Sequence, residues 1–269
     1  TRGNIAGQIR YFASEGWDFV TLMHYDALDR ISQLTYPNGM TITYTYNAQG
    51  TLESIPGFVE DVAYTASGQR ASIRYANNVT TTYQYDSRLR LSHLQSVNTQ
   101  AALQDLTYIF DDASNIVTIA DGRPDRTTDN DQTQTFAYDA LYRLTGASGT
   151  YGQIDYAYNS IGNMVHKSST AADPRLNLGE MRYGENGAGP QALTSAGDVT
   201  YTYDANGNLA HKDGVTYTWD LRDRLVTVDE SAMFSTYTYD AGGQRIRQTV
   251  SKQDITTTTL YLGQYAEIR

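Results

Sequence analysis

Tyr201-Thr202-Tyr203-Asp204-Ala205-Asn206-Gly207-Asn208-Leu209 is the stretch that decides the fold. Two tyrosines separated by one threonine put both rings on the same face of a strand, because successive side chains alternate between faces. Asp204 then ends the strand: its carboxylate can accept backbone N–H groups two residues on, and Gly207 takes a positive φ without steric cost. Leu209 opens a second strand. The stretch reads as strand, turn, strand.

The same reading recurs along the chain. An aromatic followed by Asp, Asn or Thr leads into this pattern ten times, at Tyr25, Tyr46, Tyr64, Tyr85, Phe110, Tyr138, Tyr158, Tyr203, Trp219 and Tyr239, with spacings of 21, 18, 21, 25, 28, 20, 45, 16 and 20. The aromatic two residues earlier recurs as well, at Tyr44, Tyr83, Tyr108, Phe136, Tyr156, Tyr201, Tyr217 and Tyr237. An apolar residue usually opens the following strand, as at Ile31, Leu52, Leu91, Ile116, Leu144, Met164, Leu209 and Leu225. Tight turns such as Pro37-Asn38-Gly39, Asn77-Asn78 and Asp213-Gly214 close the other end. About 20 residues per unit therefore give two short strands and two turns.

The turns fall into two classes. Tyr46, Tyr64, Tyr158, Tyr203 and Tyr239 have glycine four residues later, at Gly50, Gly68, Gly162, Gly207 and Gly243. Tyr25, Tyr85, Tyr138 and Trp219 lack it, and carry Asp at the first place (Asp26, Asp86, Asp139, Asp220) and Arg at the fifth (Arg30, Arg90, Arg143, Arg224). In the glycine class the first place is Asn47, Thr65, Asn159, Asp204 or Asp240. The pairing of Asp with Arg suggests a charge-assisted contact that closes the turn where glycine is missing. Phe110-Asp111 belongs to neither class, with Ser114 and Asn115 in those places.

Composition agrees with a sheet. The 269 residues include 23 Tyr against 6 Phe and 2 Trp, and tyrosine and threonine suit half-buried pleated surfaces. A formal net charge of −10 repels phosphate backbones, which argues against nucleic acid as a partner. There is no cysteine, hence no thiol nucleophile, disulfide or cysteine zinc site. No run of about 18 apolar residues suggests a membrane-spanning helix. The chain opens on Thr1-Arg2-Gly3-Asn4 and stops in a strand-like run, so both ends read as cuts in a longer protein.

These repeats resemble the YD repeats of Rhs proteins, of the C components of Tc toxin complexes, and of teneurins. The segment Gly187-Ala188-Gly189-Pro190-Gln191-Ala192-Leu193-Thr194-Ser195 is similar to an Rhs segment in which His is common at the place of Gln191. Tyr261-Leu262-Gly263-Gln264-Tyr265-Ala266-Glu267 resembles the lead-in to the Rhs-associated core. The resemblance implies serial antiparallel hairpins forming a curved open sheet, a partial turn of a hollow β-shell. It also implies a single repeat region over 1–269, interrupted by irregular loops near 121–134 and 171–189 (with a degenerate unit around Tyr183), and reaching the core lead-in at 261–269. In the bacterial relatives such a shell encloses a C-terminal toxic segment. The implied protein is non-catalytic, without cofactor, and exported to the medium or the cell surface. Its partners would be its own C-terminal domain, neighbouring repeats and secretion-system or toxin-complex components, and exposed sheet edges invite self-association.

The chemistry-bearing residues have simpler explanations. His24, His93, His166 and His211 lack metal-ligand spacing, and Asp204 to Asn208 departs from a calcium loop at Leu209 and Val215. Neither a Gly-x-Ser-x-Gly elbow nor a phosphate loop is present, so a hydrolase would need distant residues to meet. Aromatic density also fits a carbohydrate-binding or adhesion module. Against that, a binding site needs few tyrosines, whereas a packed repeat needs one in every unit.

Overall fold

The computed structural model describes residues 3–12, 16–171, 173–263 and 266–269. Among them there is no α-helix. The chain is all-β and antiparallel, with two short 3-10 turns at Pro174–Leu176 and Glu185–Gly187. It divides into two compact units, Thr1–Gln153 and Ile154–Arg269.

In the first unit, strands Gly7–Phe12, Trp17–Tyr25, Ile31–Thr35 and Thr41–Thr43 pair in chain order. Next come the hairpin Thr45–Tyr46 with Leu52–Ser54, and a meander from Val59–Tyr64 to Leu144–Gly149. In the second unit, Met164–Ser169 pairs with the boundary strand Gly152–Tyr158, and neighbours continue to pair in chain order to Glu267–Ile268. Serial hairpins follow from the local pattern, since each turn signal returns the chain beside the strand it has just left.

One register irregularity repeats. The key aromatic lies opposite the residue six places later, and the pairing slips by one just before it: Tyr25 faces Ile31, Tyr46 faces Leu52, Phe110 faces Ile116, Tyr203 faces Leu209 and Tyr239 faces Arg245. Such a bulge adds one residue to one strand and sharpens the local twist. The run Ile42 to Tyr46, uniform in sequence, is interrupted at Tyr44, whose backbone N–H donates to the Ser32 carbonyl at 2.9 Å.

Tyr183 is a full member of the series. Strand Gly179–Tyr183 pairs with Leu193–Ala196, Tyr183 faces Leu193, and the same slip precedes it. Its facing residue lies ten places later instead of six, which hides the unit in sequence and accounts for the 45-residue gap. Within 121–134 the chain leaves the strand at Asp121, whose side chain is fully buried and binds Arg123 at 2.7 Å, and re-enters at Gln134. Gln264 and Tyr265, in the core-like segment, lie outside the described residues.

The core is thin. In the first unit Met23 and Val62, two places before their key aromatics, are buried, as are Leu34, Ile73, Leu106 and Ala147, and Thr81 hydrogen-bonds Ser96 at 2.8 Å; in the second unit Met181, two places before Tyr183, and Ile154 are buried. No large side chain among the described residues is fully buried. The key aromatics themselves are half-buried, so their polar ends as well as their rings enter the energetics.

Candidate functional site: the fastenings between repeat units

Each turn closes on its own backbone first. In the Tyr25 unit the Asp26 N–H donates to the Arg30 carbonyl at 2.9 Å and Asp29 N–H to the Asp26 carbonyl at 3.2 Å; in the Tyr46 unit Asn47 and Thr51, then Gly50 and Asn47, make the same pair at 3.0 and 2.9 Å. The fourth place has positive φ in both classes, 85° at Gly50 and 88° at Gly207, but also 61° at Asp29 and Leu89, 60° at Tyr142 and 56° at Asp223. Asp and Arg thus do not replace the left-handed residue. They hold a turn in which a side-chain-bearing residue is forced to adopt it.

The Asp–Arg contact is present in all four units. Arg30 donates through Nε to Asp26 Oδ2 at 2.7 Å and through its terminal nitrogen at 2.6 Å. The pairs Arg90–Asp86, Arg143–Asp139 and Arg224–Asp220 show 2.7 Å for both contacts. The other carboxylate oxygen accepts two backbone N–H groups, those of Leu28 and Arg30 on Asp26 and those of Arg222 and Arg224 on Asp220. Both oxygens are therefore engaged, and a carboxylate so donated to is acidified. Asp220 is drawn down to about 2, chiefly by the Arg224 guanidinium, with burial opposing. Asp26 is lowered by Arg30 in the same way, while for Asp86 and Asp139 the backbone N–H of the arginine is the largest cause. Where the fifth place is Asn, its amide takes over: Asn208 lowers Asp204, and Asn115 lowers Asp111.

The same arginines reach forward. The Arg30 guanidinium carbon sits 4.2 Å from the centre of the Tyr46 ring, Arg90 lies 4.2 Å from Phe110, and Arg224 lies 4.9 Å from Tyr239, all in cation–π range. Arg90 also donates to Ser114 Oγ at 2.8 Å and Arg224 to the Asp240 carbonyl at 3.3 Å. One side chain thus closes its own turn and covers the key aromatic of the next.

The key aromatics reach backward. Tyr46 OH donates to the Ile31 carbonyl at 2.8 Å, Tyr64 to Leu52 at 2.8 Å, Tyr85 to Arg70 at 2.8 Å and Tyr138 to Ile116 at 2.9 Å. In the second unit Tyr183 donates to Met164 at 2.7 Å, Tyr203 to Leu193 at 2.8 Å and Tyr239 to Leu225 at 2.8 Å, while Trp219 uses its indole N–H on Leu209 at 2.8 Å. The acceptor is always the residue that faces the preceding aromatic, beside the slipped register. The repeat letter reads tyrosine because a ring must fill the face and a donor must reach this carbonyl. Tryptophan meets both needs, and Phe110 meets only the first.

His93 and His166 have local partners. His93 Nε2 and Asp105 Oδ1 lie 2.6 Å apart, with Gln95 donating to the other oxygen, and His166 pairs with Glu180 at 2.8 Å. Among the described residues no group of three His, Cys, Asp or Glu side chains is arranged to hold a metal, and no helix is long and apolar enough to cross a membrane.

The teneurin YD-shell family matches residues 48–267, most of the chain. The chain belongs to that family. The RHS repeat also matches, at residues 25–55. Among curated relatives of this YD-shell protein, toxin subunit YenC1 of Yersinia entomophaga is 26% identical over 281 residues, covering 87% of this chain and 28% of that one. The tRNA nuclease WapA of Bacillus subtilis (strain 168) is 32% identical over 120 residues, 41% of this chain and 5% of WapA. The chain therefore spans only a small part of either relative. Among solved structures, the TcdB2-TccC3 crystal structure superposes with a TM-score of 0.78 at 22% identity, over 92% of this chain and 15% of that one. The YD-shell fold is thus shared with TcdB2-TccC3.

Proposed function

We propose that this chain is a non-catalytic wall segment of an exported Rhs/YD-repeat protein, whose role is to enclose or present a C-terminal toxin domain of the same polypeptide. The observation that supports the reading best is the fastening itself. Seven key tyrosines and Trp219 direct a donor at the backbone of the preceding unit, and Arg30, Arg90 and Arg224 direct their guanidinium groups at the ring of the next, so the repeated chemistry is committed to joining one unit to another. A surface for glycans would instead leave ring faces and hydroxyls available to the ligand. Family membership points the same way. The match to the nuclease WapA spans 120 residues, 5% of that protein, and on this reading any catalytic activity belongs to a different part of the full chain. The partners would be that C-terminal domain, the flanking repeats and the other components of a toxin complex.

Limited proteolysis of the full-length protein, read by mass spectrometry, tests this. The expected result is that the segment C-terminal to the repeats survives until denaturant opens the repeats. Immediate digestion of that segment beside intact repeats would refute enclosure, and glycan-array binding would then become the next measurement.

A further inference from the structure

In six turns the fifth place carries a side chain that reaches the next turn. Arg30, Arg90 and Arg224 stack on the next aromatic, Gln69 Nε2 donates to the Leu89 carbonyl at 2.8 Å, Asn163 Nδ2 to the Pro190 carbonyl at 2.8 Å, and Asn208 Nδ2 to Asp223 Oδ1 at 2.8 Å. In the Phe110 unit Asn115 turns back onto Asp111 of its own turn, and two other units carry a side chain too short to reach. In the Tyr46 unit the fifth place is Thr51, whose hydroxyl is buried without a hydrogen-bond partner. In the Tyr183 unit it is Ala192: the Gly184 N–H donates to the Ala192 carbonyl at 3.0 Å, as Asp220 N–H donates to that of Arg224 at 2.9 Å.

Beside each of these two units a cavity lies against the next key aromatic, one at Tyr64 and one at Tyr203, as Arg30 lies over Tyr46. The cavity beside Tyr203 has something further. Its wall holds Glu185, Asn186, Gly187 and Thr194 facing Tyr203 and Asp204. Asp204 is consumed in its own turn, where it accepts from the backbone of Asn206 and Asn208 and from the Asn208 side chain. Glu185 is not so consumed. Its Oε2 accepts from Thr194 Oγ1 at 3.0 Å, and its Oε1 stands 3.8 Å from Arg182, which is largely exposed. The left-handed backbone at Asn186 and Gly187, with φ of 56° and 82°, carries the chain round the cavity behind Glu185.

We propose that the cleft over Tyr203 is a guanidinium-binding site, which takes an arginine side chain from another polypeptide segment between the Tyr203 ring and the Glu185 carboxylate. Four turns of this chain pair a guanidinium with a carboxylate, and three of them set it on the next aromatic ring. Here the first place is Gly184 and the fifth Ala192, so neither partner of that pair is present, while the ring, the space and a different carboxylate, that of Glu185, are. A planar guanidinium satisfies ring stacking and carboxylate pairing at once, whereas an ammonium is a point charge that serves them less well. A free amino acid would bring its own carboxylate toward Glu185 and Asp204 in a chain of net charge −10, so an arginine within a peptide fits better.

The test is a chemical-shift titration of the whole chain with N-acetyl-arginine-methylamide, its lysine counterpart and free L-arginine. Saturable shifts at the amides of Gly187, Thr194 and Asp204 are expected with the capped arginine, with a Kd on the order of a few millimolar. They should be weaker for lysine and for the free amino acid, and absent in Glu185→Gln. Ala192→Arg supplies the missing group in cis, so it should raise the melting temperature and remove the shifts. No saturable shift up to roughly 50 mM would overturn the site. So would shifts that persist in Glu185→Gln or are equal for lysine. Equal affinity for free arginine would overturn the polypeptide source. Because Glu185→Gln is close to isosteric, the proposal remains falsifiable even if Ala192→Arg fails to fold.

Discussion

Removing one hydroxyl, in Tyr138→Phe, isolates the backward fastening. The substitution keeps the ring and removes a single 2.9 Å bond to the Ile116 carbonyl, on a side chain whose own ionisation is shifted upward by burial. A net intramolecular hydrogen bond is worth about 1 kcal/mol, and about 2 kcal/mol if water cannot reach the orphaned carbonyl. For a unit of this size 1 kcal/mol corresponds to roughly 2–4 °C in melting temperature. The control is Tyr142→Phe, a turn tyrosine that is 64% exposed and should change stability by less than about 0.5 kcal/mol. Urea unfolding followed by tyrosine and tryptophan fluorescence supplies the magnitude, and native-state hydrogen exchange at residues 116–121 and 134–138 locates it. Loss confined to the Tyr138 hairpin and its predecessor is expected. A Tyr138→Phe protein as stable as Tyr142→Phe would mean that the hydroxyl ladder contributes nothing, and the physical explanation of the repeat letter would fall.

Leu89→Gly should raise stability by about 0.5 kcal/mol in the same urea assay, because a φ of 61° costs leucine more than glycine loses in chain entropy. Acid should act through the turn carboxylates. Asp220, near 2 when folded against an ordinary value near 4, stabilises the fold fully above about pH 4 and progressively less as the pH falls toward 2. Urea midpoints measured from pH 7 to 2 should therefore hold level and then drop below about 4, and Asp220→Asn should soften that drop. Asp121→Asn should make cleavage within 122–133 about tenfold faster under limited proteolysis, since the buried Asp121 ties that loop through Arg123 and the Gln132 N–H.

The strands and turns were legible because their signals are local. Alternation around Tyr203, the Asx acceptor at Asp204 and the glycine at Gly207 all act within seven residues, and the pairing of Asp with Arg four places later is a spacing readable by comparing copies. Tyr183 was only partly legible: its strand carries Met181 instead of an aromatic two places earlier, and its facing residue lies ten places on, so both marks of the repeat are altered. The acceptors of the tyrosine hydroxyls were not legible. They are backbone carbonyls, which leave no mark in side-chain identity, and they lie 10 to 22 residues upstream. The forward reach of Arg30 onto Tyr46 was hidden for a related reason, as the four-residue spacing marks that arginine's contact with its own turn and carries no sign of a second partner. The positive φ at Leu89 and Tyr142 ran against residue preference, and is imposed by the Asp–Arg contact and the turn backbone around them.

The central claim is that this chain is wall rather than machinery, and a cryo-electron-microscopy reconstruction of the full-length protein tests it most directly. The account predicts that residues 48–267 form part of a β-sheet wall whose repeats surround density belonging to the C-terminal segment. A reconstruction in which these repeats form a solid or flat body, with the C-terminal segment outside it, would contradict the account.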